Sequence, residues 1–361
     1  MNSMPEGNAI VFCEGAFLST YGKTAHGLVR FTRRYHVLSV VDSQCAGMDA
    51  GVVLDGKYTG IAIFASVEEA VVASREEGNP ATHLVIGIAP DGGGITDSIQ
   101  AAVSKAIELL LNIDSGLHDF ISSIPELKAM AEKNSISIRD IRKTPPRSEL
   151  HAFTGKISEV TSIKIAVLGT DSAIGKRTTA WKIIESLNRA GFSAQLIGTG
   201  QTAWMQGAEY SIILDSLIND FVSGEIENAV WKCWKEKKPD FIVIEGQGSL
   251  MNPAYPGGFE ILAAGRPDGI ILQHAPTRTE YDGFPGYPLH SLEKQIHAID
   301  FLSGKPVLAI TVNHEGLKGQ EIVAACKAIT RKINLPAVDP LIEGCDKIVS
   351  VLKKMKESFN Q

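Results

Sequence analysis

The residues best suited to chemistry lie in one stretch, IKIAVLGTDSAIGKRTTAWKIIESL, from Ile163 to Leu187. An apolar strand runs into a loop that closes on Gly175 and Lys176, and a helix follows. Backbone N–H groups at such a strand-to-helix turn converge on a concave site, and the lysine adds charge, so the loop suits phosphate. The expected ligand of Gly169, Thr170, Asp171, Ser172, Ala173, Ile174, Gly175, Lys176, Arg177, Thr178 and Thr179 is a di- or triphosphate. Two departures from the usual loop refine this. Five residues, rather than the usual four, separate Gly169 from Gly175. Arg177 stands after the lysine, where a hydroxyl ordinarily meets magnesium. Either Thr178 or Thr179 supplies that hydroxyl instead, or Lys176 and Arg177 hold a pyrophosphate without a metal.

The strongest companion is FIVIEGQGSL, residues 241–250. Glu245 ends a buried strand with Gly246 and Gly248 behind it. An acid there can hold magnesium, orient water or accept a proton, and the glycines allow close approach; a purely structural glutamate is the plainer alternative. The segment HAPTRTEYDGFPGYPL follows another strand and is too rich in Pro, Gly, Arg, Tyr and Asp for a simple connector. Within it His274 is a candidate for proton transfer and Arg278 for binding a substrate carboxylate, against a capping histidine and a surface arginine. Thr199, Gln201 and Thr202 are expected at a sheet edge beside the phosphate loop.

These residues need parallel strands ending on one edge. Strands are expected over 163–169, 193–197, 241–244, 269–273 and 307–312, with helices between, which predicts a doubly wound α/β domain. The first half also reads as α/β. Its opening strands, near 8–13 and from Tyr35 to Val41, begin a Rossmann-like unit, with Asp42 where a ribose hydroxyl is often held. Gly15, Gly22 and Gly27 do not form GxGxxG, so the nicotinamide reading is the poorest, against a fold that serves another ligand or packing. Gly92, Gly93 and Gly94 are a second candidate anion cradle or a plain turn, before a helix whose start is marked by Asp97 and Gln100. His118 reads as a ligand contact or a structural histidine. RKTPPRSELHAFTGK is the linker, so residues 1–145 are assigned to the Rossmann-like domain and 159–361 to the second.

At 361 residues, 44% hydrophobic and 21% charged with a formal net charge of -6, the chain has the composition of a soluble globular protein. An acidic chain without a long basic block is not expected to bind nucleic acid. Five scattered cysteines, never paired as CxxC, point to a reducing compartment and away from zinc. No basic leader precedes a long apolar core, and no apolar run approaches about 18 residues. The expectation is a cytoplasmic protein with a small-molecule substrate, no membrane partner and a homo-oligomeric state.

Two resemblances add to this. GTDSAIGK and IEGQGSL resemble the loop and acidic strand of dethiobiotin synthetase and cobyrinic acid amide synthases, where five residues also separate the loop glycines. That likeness covers the second half and implies magnesium and ATP, with Thr178 and Glu245 on the metal. The order YGKTAHGLVR, IGIAPDGG, SGLHDF, DIRKTP, GTDSAIGKRTTA, TGQT and IEGQGSLMNPAYPG spans nearly the whole chain. It resembles a two-domain family, Rossmann-like then P-loop, catalogued as a domain of unknown function, sometimes labelled an NAD-dependent epimerase or dehydratase, and including D-glutamate N-acetyltransferase. This resemblance implies that acetyl-CoA is the co-substrate and that the loop holds the CoA phosphates; for that reaction the residues offer Glu245 or His274 as the base and Arg278 for the substrate carboxylate. A nucleotide-binding regulatory protein without turnover is a further alternative.

Overall fold

The computed structural model describes residues 5–89 and 91–359. The first residues of the N-terminal segment and Pro90 of the IGIAPDGG motif lie outside the described residues. The chain divides into two compact units, 1–145 with Gln201–Ala208, and 146–200 with 209–361.

In the first unit β1 (Gly7–Phe12), β2 (Tyr35–Val41), β3 (Ala62–Phe64), β4 (His83–Ile86), β5 (Asn112–Ser115) and β6 (Ile138–Asp140) form a parallel sheet. Its order, β3-β2-β1-β4-β5-β6, is that of a Rossmann-like domain. The apolar runs of β1 and β4 are buried, as expected of parallel strands covered on both faces.

The polar groups at the strand ends of this unit are largely spent on its own backbone. Asp42 is buried and accepts from Phe17 N and Gln44 N, each at 2.9 Å. Gly93 has φ +60°, and a Cβ there would lie 2.3 Å from the His118 ring, so this glycine is packed against His118. The Gly93 carbonyl also accepts from His118 N at 3.0 Å, as in a tight turn. The helix Asp97–Glu108 is capped one residue earlier than expected, because Thr96 Oγ1 accepts from Ile99 N. Asp97 instead falls in the first turn, where its charge favours the helix dipole.

In the second unit β7 (Ile163–Gly169), β8 (Ala194–Gly198), β9 (Tyr210–Ser211), β10 (Phe241–Glu245), β11 (Gly269–His274), β12 (Val307–Val312) and β13 (Ala337–Val338) also pair in parallel. The order β13-β12-β11-β7-β10-β8-β9 places β7, the strand before the loop, at the centre. All seven of its residues are buried. The chain returns after β7 through the helix Lys176–Arg189, which buries Ala180, Ile183, Ile184 and Leu187. Ala190 is exposed because the helix has ended and Gly191 turns at φ +88°.

The stretch after Pro145, expected as a linker, folds with the second unit. Glu227, 2% exposed, accepts from Thr154 N at 2.6 Å, Thr154 Oγ1 at 2.9 Å and Ile157 N at 3.1 Å. One buried carboxylate on the helix Asn219–Lys237 thereby satisfies three donors of this stretch. Among the described residues no helix is long and apolar enough to cross a membrane.

Candidate functional site

The site lies at the carboxyl edge of the second sheet, where β7, β10, β11 and β12 end. Parallel pairing sets Glu245 beside Val167, and Gln273 beside Gly169, so loops after three strands meet. Gly175 adopts φ +91°, a conformation that glycine reaches without strain, and it begins the helix Lys176–Arg189 without a side-chain cap. The first N–H groups of a helix have no intrahelical partners. With the helix dipole they give a positive end whose chemistry suits an anion, and Lys176 and Arg177 stand in its first turn.

Lys176 is buried, and its Nζ donates to Asp171 O and Gly248 O, each at 2.7 Å. Burial pushes its pKa down to about 8, against the attraction of Asp171 and Glu245. The second carbonyl belongs to a sharply folded loop: Gly248 has φ +46°, and a Cβ there would lie 1.9 Å from Tyr255 O. The lysine therefore joins the loop after β7 to the loop after β10.

The Asp171 carboxylate is occupied by protein donors. It is fully buried and accepts from Ser172 N at 2.7 Å and Asn252 Nδ2 at 2.9 Å on one oxygen. Arg278 Nη1 at 2.8 Å and Asp282 N at 2.9 Å occupy the other. Arg278 also donates to Ser172 O at 2.9 Å, and its Nε and Nη2 reach Glu315 Oε2 at 3.2 and 2.7 Å. It is thus a half-buried tie between loops, with its outer edge on Glu315, whose side chain is 52% exposed.

Glu245 is buried and accepts from Thr199 N at 2.9 Å, while its carbonyl accepts from Thr199 Oγ1 at 3.0 Å. Burial raises its pKa, and the positive charge of Arg177, the Thr199 N–H and Lys176 oppose the rise. His274 is half-buried, with Nδ1 3.0 Å from Thr170 Oγ1, and burial lowers it to about 4. Thr179 donates to Gln273 Oε1 at 2.6 Å, which also accepts from Thr311 Oγ1 at 2.5 Å. Its hydroxyl is spent inside the sheet edge; Thr178 remains half-buried in the first helical turn.

The structure therefore brings Gly169–Thr179, Glu245, Thr199 and Arg278 to one edge, with His274 at the end of the adjoining β11. Gln201 and Thr202 fall instead with the first unit. Sequence reasoning gave no role to four polar side chains at this edge, Asn252, Asn313, His314 and Asp339, or to the Asp282 backbone N–H. Asn252 and Asp282 hold Asp171, Asn313 Nδ2 donates to Ile174 O at 2.9 Å, and His314 Nδ1 lies 2.5 Å from Asp339 Oδ2. Their signal was position, since Asn313, His314 and Asp339 directly follow apolar strands.

This fold and site define a two-unit α/β protein, Rossmann-like and P-loop. Residues 151–349 match the model described as "Domain of unknown function (DUF1611_C) P-loop domain". Residues 43–144 match "Domain of unknown function (DUF1611_N) Rossmann-like domain". The chain belongs to the DUF1611 family. It is 31% identical over 278 residues to a protein of Tritonibacter scottomollicae named D-glutamate N-acetyltransferase, covering 75% of this chain and 81% of that one. A protein of the same name from a Pseudoalteromonas species is 29% identical over 280 residues, with 75% and 81% covered. The crystal structure of a DUF1611 family protein from Anabaena variabilis is 27% identical, with a TM-score of 0.88 over 97% of this chain and 100% of that one.

Proposed function

We propose that this protein is an N-acetyltransferase that moves the acetyl group of acetyl-CoA to the amine of an acidic amino acid, D-glutamate. One observation favours a CoA diphosphate over magnesium-ATP. The cations facing Glu245 are Arg177 and Lys176, and the Thr179 hydroxyl already serves Gln273. The names of the two curated relatives support the acceptor and the reaction class. Thr178 is the residue that favours the second reading, an ATP- and magnesium-dependent ligase or kinase.

In this proposal the N–H groups after Gly175, with Lys176 and Arg177, hold the diphosphate, and Glu245 with Thr199 holds those cations in place. The bound thioester supplies an activated acyl carbon, so the protein mainly orients two ligands and handles protons. An acceptor carboxylate would take the outer edge of Arg278, replacing the exposed Glu315 in a charge-assisted contact. His274, lowered to about 4, is a weak base at neutral pH. Glu245 sits among the phosphate-holding cations. The five cysteines are free and buried, which suits a cytoplasmic setting.

Thermal-shift screening with acetyl-CoA, CoA, ATP with magnesium, and NAD tests the choice of ligand. Stabilisation by acetyl-CoA and CoA is expected. A large shift with magnesium-ATP alone would overturn the proposal in favour of the ligase reading.

A further inference from the structure

An acceptor amine must lose a proton before it attacks, and the phosphate loop is the wrong place for the base. Coenzyme A carries its thioester at the far end of the pantetheine arm from its diphosphate. A base beside the reacting carbon is therefore expected on the same sheet edge but away from Lys176.

The second unit holds such a group. His314 follows β12 and Asp339 follows β13, and the two strands are neighbours. Asp339 is 1% exposed; its Oδ2 lies 2.5 Å from His314 Nδ1, and its Oδ1 accepts from Leu341 N at 2.8 Å and Ile342 N at 3.2 Å. An ionised carboxylate only accepts, so Nδ1 carries the hydrogen, and in the neutral imidazole the lone pair lies on Nε2. The histidine side chain is 35% exposed, so a ligand can reach it. A buried acid that fixes the tautomer and orientation of an accessible imidazole is the supporting half of a proton-transfer pair.

The residues on either side of His314 in sequence reach the phosphate loop and Arg278. Asn313 donates to the phosphate-loop carbonyl of Ile174, and Glu315 receives the outer edge of Arg278. A carboxylate replacing Glu315 would thus bind beside the residue next in sequence to His314. The amine of an amino acid is only a short chain away from its carboxylates.

We propose that His314, oriented by Asp339, is the base that removes the proton from the acceptor amine; this rests on the acetyl-transfer reading. The ammonium gives one proton to His314 Nε2, which passes it to solvent. The freed amine attacks the thioester carbonyl carbon, forming a C–N bond. The C–S bond then breaks, and the CoA thiolate leaves with the remaining surplus proton of the attacking nitrogen. The products are the N-acetyl amino acid, CoA thiol and one released proton.

The test compares thiol release by the full chain, with acetyl-CoA and D-glutamate, for wild type, His314→Gln, His314→Gly and Asp339→Asn. Loss of a general base predicts a fall of about 10² to 10⁴ in kcat for the His314 variants. Asp339→Asn should fall less, acetyl-CoA binding by calorimetry should be retained, and added imidazole should restore part of the His314→Gly rate. An active wild type with His314→Gln turning over within about threefold of it would overturn the base assignment alone. So would a His314→Gly loss that imidazole leaves unchanged while acetyl-CoA still binds. A wild type that releases no thiol overturns the acetyl-transfer reading and this inference with it.

Discussion

The Arg278 guanidinium donates to the fully buried Asp171 carboxylate at 2.8 Å. With Asn252 and Asp282 on the same carboxylate, this pair ties the loop after β7 to the loops after β10 and β11. Arg278 keeps Glu315 when Asp171 is removed, but Ser172 N, Asn252 Nδ2 and Asp282 N lose their acceptor. Unsatisfied donors of this kind cost about 1 to 3 kcal/mol each, so a total of about 3 to 5 kcal/mol is expected. Asp171→Ala should therefore lower the unfolding free energy in urea by about that amount. A loss below about 1 kcal/mol would show that the three loops hold their shape without the pair.

Lys176 gives a pH dependence. Its pKa is lowered by burial from 10.5 to about 8. Between those values the unfolded chain keeps a proton that the folded chain has released, so stability rises with pH across the window. Below about 8 both states are charged, and folding bears the full cost of burying the ammonium, roughly 3 kcal/mol. Compared with Lys176→Met, which cannot titrate, wild type should gain roughly that much between pH 8 and 10.5. Denaturant unfolding of both proteins at several pH values measures it; a difference that stays constant with pH would refute the assignment.

Glu315 occupies the edge of Arg278 that the proposal gives to the acceptor. Exposed pairs of this kind are worth up to about 1 kcal/mol. Glu315→Gln should therefore lower the KM for D-glutamate by up to about fivefold, with the KM for acetyl-CoA unchanged. A raised KM would mean that Glu315 helps to hold the acceptor.

Thr178 separates the two ligand readings. With a CoA diphosphate held by Lys176 and Arg177, Thr178→Ala in the presence of a metal chelator should keep turnover within about threefold of wild type. Loss of a magnesium ligand in phosphoryl transfer would instead cost orders of magnitude.

The fold was legible where periodicity carries it. The apolar runs of β7, β10, β11 and β12, and the polar residues at their ends, predicted a parallel sheet with one chemical edge, and the family motifs predicted both domains. What stayed hidden depends on contacts distant in sequence. Asp171 reads as a cradle residue until Arg278, Asn252 and Asp282 are seen around it. Arg278 reads as open to substrate until Glu315 is seen on it. The TPPRSELHAFTGK stretch lacks periodicity because Glu227, rather than a regular ladder, satisfies part of its backbone. The His314–Asp339 pair spans two strand ends separated by a whole helix. Its residues are ordinary in sequence and acquire a role only when β12 and β13 align.

The central claim is acetyl transfer without nucleotide cleavage. The most direct measurement follows thiol release and N-acetylated product together, using purified full-length protein, acetyl-CoA and D-glutamate with a chelator and no ATP. Equal amounts of thiol and N-acetyl-D-glutamate are expected. No product under these conditions, with activity appearing only when ATP and magnesium are supplied, would contradict it.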